Sequence, residues 1–134
     1  MNINIIYLIV GILSIASAFT HTLNGLENTL SVLNSTNIDG GTRTVFTYVW
    51  HIIGVENLVI GMALIIMAFI KNKENVKFTA WVIIGILLSR LIIISVFTFL
   101  NNKSGIFDIL IDSIAMIVII ALLFFGTGIK SKSH

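Results

Sequence analysis

The residues of this chain best suited to chemistry are His21, Trp50, His51, Glu56, Asn57, Arg90, Asp108 and Asp112. A guanidinium such as that of Arg90 presents a planar fork of donors matched to a carboxylate or a carbonyl. His51 could carry a proton, and Glu56, Asp108 and Asp112 could accept one or neutralise a cation. Imidazole with carboxylate also suits zinc and other divalent ions, and His21, His51, Glu27, Asp108 and Asp112 supply both. However, no H-x-x-x-H or H-E-x-x-H spacing is present, so no metal is expected. The absence of Cys removes disulfides, thiolate metal sites and thiol nucleophiles. No G-x-S-x-G or Ser/Lys pattern marks a covalent nucleophile.

The setting of these residues is unusual. Of 134 residues, 57% are apolar and 10% charged, and the mean hydropathy is +1.05. A water-soluble domain of this length has too little interior to hide so much apolar surface, so lipid must be the main solvent. The net charge of +2 comes from basic residues placed mostly in short segments between apolar runs. That placement suits membrane orientation and excludes the continuous basic face of a nucleic-acid binder.

Four apolar runs predict an all-α fold: a single domain, 1–134, forming an integral membrane four-helix bundle. The spans are expected at about 4–22, 45–70, 78–100 and 106–129, since crossing the hydrocarbon takes roughly 20 helical residues. Ala16-Ser17-Ala18 resembles a signal-peptidase site, but Met1-Asn2-Ile3-Asn4 has no positive charge, so the first helix is expected to be retained. Leu23, Leu26, Leu30 and Leu33 continue its apolar stripe toward Asn34, where turn residues begin. Asp39-Gly40-Gly41 reads as a turn, and Gly126-Thr127-Gly128 as a helix terminator. With no Pro in the chain, no proline kink is expected.

Lys71, Lys73, Lys77, Lys130 and Lys132 fall on one side of the expected membrane, and only Arg43 and Lys103 on the other. The positive-inside rule then predicts cytoplasmic N and C termini, with loops 21–44 and 101–105 outside a bacterial plasma membrane. Tyr48 and Trp50, and Phe78 and Trp81, fit interfacial anchors at the two surfaces. Two small-residue stripes predict close helix packing: Gly11, Ser14, Ala18 and His21 on the first helix, and Trp50, Gly54, Asn57 and Gly61 on the second. Gly85 and Ser89 suggest the same on the third.

Counting about 1.5 Å per residue, Glu56 and Arg90 meet near the midplane, which makes a Glu56–Arg90 ion pair the first structural expectation. The same count puts His51 and Asp112 about 9 Å from the outer boundary, with Asp108 one turn above Asp112 on helix four. The inner halves are aliphatic. The expectation is a polar pocket open to the outside, with Glu56 and Arg90 as its floor and His51, Asp112, His21 and Asp108 up its walls. The plainer alternative is interhelical pairs, Glu56–Arg90 and His51–Asp112, that fix register and do nothing else.

Two short stretches resemble known families. His21-Thr22-Leu23-Asn24-Gly25-Leu26-Glu27 followed by Trp50-His51 is similar to a group of small bacterial four-helix membrane proteins. Those proteins pair a first-helix H-x-x-x-G-E with a W-H on the second, and an extra Leu26 stands before the acid here. The resemblance implies a bacterial envelope protein without an assigned reaction. Gly54-Val55-Glu56-Asn57-Leu58-Val59-Ile60-Gly61 resembles the G-x-E-x-x-x-x-G of DoxX-like proteins. That superfamily is tied to quinone-linked sulfur oxidation and to membrane-protein assembly.

Three functions compete. The first is an accessory protein whose polar pocket binds a small polar ligand, a proton or a membrane-protein partner. The second is a quinone-linked oxidoreductase subunit in which His51 and Asp112 relay protons to a head group over Arg90. The third is a small transporter, which at this size calls for a homodimer and lacks an inner polar half.

Overall fold

The computed structural model describes residues 3–72 and 74–128. It is helical throughout: α1 (Ile5–Asn24), a π-helical turn (Gly25–Thr29), α2 (Leu30–Ser35), α3 (Gly40–Phe69), α4 (Glu74–Asn101), a 3-10 turn (Lys103–Ile106) and α5 (Leu110–Thr127). The first three run on without a break, so four helical segments are long and apolar enough to cross a membrane: Ile5–Ser35, Gly40–Phe69, Glu74–Asn101 and Leu110–Thr127. Ile129, Lys73, Lys130 and Lys132, used in the sequence reading, lie outside the described residues.

The helix ends follow from polar residues that hydropathy does not weigh. The first span stops where expected, with Thr36 turning extended after Ser35. Asp39-Gly40-Gly41 is a helix start, not a turn. The Asp39 carboxylate accepts the Thr42 amide at 2.9 Å and the Thr42 hydroxyl, satisfying a donor that the first turn leaves free. The second span therefore begins five residues before its apolar run. The fourth begins four residues after Ile106, because Asn102 accepts the Gly105 amide and tightens Lys103–Ile106 into a 3-10 turn.

Two compact units are present, Gly11–Ile66 and Met1–Val10 with Met67–His134. In the first, α1 crosses α3 on the predicted small residues. A Cβ on Gly11 would lie 2.8 Å from the Gly61 carbonyl oxygen, and one on Gly61 would lie 2.7 Å from that of Gly11. A Cβ on Gly54 would meet the Thr22 hydroxyl at 2.7 Å. Only residues without side chains let two helix backbones approach this closely.

In the second unit, Asn4 joins three segments. It is buried, its amide donates to the Ala68 carbonyl at 2.9 Å, its side-chain NH2 donates to the Gly126 carbonyl at 3.0 Å, and its side-chain oxygen accepts the Tyr7 amide at 3.3 Å. Tyr7 fills the space beside Gly126, where a Cβ would strike its ring at 2.7 Å. Gly126 is thus a close-packing position within α5, and the helix ends one residue later. α4 buries Val76, Ala80, Ile83, Ile84 and Leu87, one helical stripe. Gly85 and Ser89 point away from it: both are exposed, and a Cβ on Gly85 meets nothing within 4 Å among the described residues. The expectation that they form a packing face is therefore wrong, because size alone does not tell which side of a helix faces a neighbour. Ile92, Ile93, Phe97 and Leu100 are all more than half exposed, a surface suited to lipid.

Candidate functional site

His21, Trp50, His51, Glu56 and Asn57 belong to the Gly11–Ile66 unit, and Arg90, Asp108 and Asp112 to the other. His21 and Trp50 come together most closely. Their rings stack 4.4 Å apart and 8° from parallel. The Trp50 indole N–H donates to the His21 carbonyl at 3.1 Å, and His21 Nε2 lies 3.3 Å from the Trp50 carbonyl oxygen. Each residue thus meets the other's backbone and ring. Gly25 closes the arrangement from α1's end, since any side chain there would overlap the indole. The chain passes at that point from α-helix into the π turn, a widening that recurs at functional sites. Trp50 is accordingly held by the neighbouring helix, and is more than an interfacial anchor.

His51 and Glu56 open onto a groove of about 430 Å³ on α3, lined by Tyr48, His51, Ile52, Val55 and Glu56. Its floor is apolar, with Ile52 and Val55 well exposed, while the imidazole and the carboxylate stand half-buried beside it. Glu56 lies near the middle of the 30-residue α3, about 24 Å from its start. Asn57, also half-buried, follows it on the helix. Arg90 has a comparable place in α4, half-buried and about 24 Å from that helix's start.

The two aspartates differ from expectation. Asp108 lies in the turn before α5 and not on the helix, and Asp112 is in its first turn, about 3 Å from the start. Both are exposed. The helix begins four residues later than its apolar run, so Asp112 stands at the N-terminal end of α5. An acid in a first turn is favoured by the helix dipole without any partner. Glu27 is exposed on the π turn. Among the described residues, no three of His, Asp and Glu gather as a metal ion would require.

No family model, curated protein or solved structure matches this chain. The functional reading therefore rests on the geometry of its own residues.

Sequence reasoning overlooked Asn4 and the role of Gly25. Asn immediately before an apolar helical run is a capping signal, and it was present at Asn4. Gly25 offered no comparable signal, because its partner lies 25 residues away on another helix.

Proposed function

We propose that this chain is an integral membrane protein with both termini cytoplasmic, and that the α3 face bearing His51 and Glu56 recognises a polar group within the outer half of the membrane. That group belongs to a small ligand, a proton donor or a membrane partner. The observation that carries the reading is the groove itself: two ionisable side chains flank an apolar floor on a helix suited to the membrane. Ionisable groups are costly in hydrocarbon and are kept there chiefly for function. The His21–Trp50 stack supports the reading by holding the turn of α3 that precedes His51.

A photo-crosslinking side chain at Val55 tests the proposal in native membranes. The expected result is a discrete adduct, small molecule or protein, that weakens in His51→Ala and Glu56→Gln. Adducts to lipid alone, unchanged by either substitution, would contradict it.

A further inference from the structure

The exposed side of α3 carries apolar residues in a heptad register. Val45, Tyr48, Ile52, Val55, Val59, Met62 and Ile66 follow at alternating steps of three and four, each between 45 and 64% exposed. A seven-residue repeat sustained over three turns of the pattern is the seam along which two helices wrap around each other. The exposed face of any helix recurs at steps of three and four, so the register takes its meaning from the polar residues that flank it. In this repeat Val45, Ile52, Val59 and Ile66 take the a positions and Tyr48, Val55 and Met62 the d positions. Every a residue is β-branched, as in two-stranded parallel pairs, while Tyr48, Val55 and Met62 stand at d where such pairs carry Leu.

The groove has the matching shape. A knob at an a position of one helix enters a hole made by d, g, a and d residues of the other. Tyr48, His51, Ile52 and Val55 are those four positions, and they line the groove together with Glu56. His51 then falls at g and Glu56 at e. In a parallel pair, g of one helix lies beside the e residue five places further along the other, which sets His51 against Glu56 of the second copy, twice by symmetry. Two copies inserted with the same topology meet in parallel. In lipid, where apolar burial does not drive helices together, close packing and polar contacts must do so.

We propose that the groove is the centre of a homodimer seam: a second copy of this chain docks along α3, seating its Ile52 among Tyr48, His51, Ile52 and Val55 and pairing His51 with Glu56 across the interface. This rests on reading the α3 face as a recognition surface and names its partner.

The chain has no cysteine of its own, so single-cysteine variants report without background. Oxidation in native membranes is expected to cross-link Ile52→Cys and Val59→Cys as dimers, and to leave Ile92→Cys, on the exposed side of α4, as monomer. Adding His51→Ala to Ile52→Cys should lower the dimer yield about tenfold, in line with the worth of a polar contact between membrane helices. His51→Gln, which keeps bulk and a hydrogen bond, should retain most of it and so shows that folding is intact. Monomer at both Ile52→Cys and Val59→Cys, or equal yield at Ile92→Cys, overturns the dimer. If the Val55 adduct is then another molecule, the recognition reading survives without the dimer, whereas lipid adducts alone remove both.

Discussion

Gly25 and Asn4 each hold their surroundings by a single contact set, and each can be tested by one substitution. Gly25→Ala places a methyl on the Trp50 indole, which must move and lose its stack on His21 and its bond to the His21 carbonyl. Forcing extra volume into such a contact costs about 1–3 kcal/mol. With Trp81→Phe leaving Trp50 as the lone tryptophan, the Gly25→Ala variant should show a shifted emission maximum and a lower unfolding midpoint in detergent. Asn4→Ala removes the donor to the Gly126 carbonyl and the cap on the Tyr7 amide. Leaving such groups unpaired should destabilise the protein by about 1–3 kcal/mol, read by thermal unfolding. The sequence displayed His21, Trp50 and Gly25 as a motif but gave no means of pairing them, because their contacts run between helices.

At the scale of elements, hydropathy found all four spans and misplaced several of their ends. Gly40 to Thr44 are polar or small, so the start of α3 is visible only through the Asp39 cap, and the start of α5 only through the Asn102 turn. The small-residue stripes of α1 and α3 were legible because each offered a whole face, whereas Gly85 and Ser89 on α4 were too few to define one. Gly61→Ala should therefore destabilise by about 1–3 kcal/mol, since its methyl meets the Gly11 carbonyl. Gly85→Ala should instead be neutral or stabilising by roughly 0.5–1 kcal/mol through helix propensity. Thermal unfolding of the two variants separates a packing glycine from an idle one.

The Asp39 cap carries a pH dependence of its own. Bonds from the Thr42 hydroxyl and amide hold its carboxyl below the ordinary Asp value. A folded value lowered in this way gives α3 support that is complete above the unfolded value, about 3.9, and is lost as the pH falls through the folded one. Hydrogen-exchange protection at the amides of Gly41 to Arg43 should decline on that acid side, and in Asp39→Asn this decline should be absent.

The molecule as a whole has four helices long and apolar enough to cross a membrane, and the α3 face is proposed to function in its outer half. Length and composition carry the first part, as the exposed apolar surfaces of α4 and α5 agree. The second rests on the proposed sidedness, in which Arg43 and Lys103 mark the outer surface; His51 stands nearer the start of α3 than its end. The proposed partner was the least legible feature in the sequence: a polar residue in lipid suggests function, but the helix face it shares is known only from the structure. Labelling of single-cysteine variants with a membrane-impermeant maleimide tests the orientation on which the account stands. Asn34→Cys and Lys103→Cys, both at exposed positions, should label in intact cells, and Asn72→Cys only after permeabilisation. Labelling of Asn72→Cys in intact cells, with Asn34→Cys and Lys103→Cys protected, would contradict it.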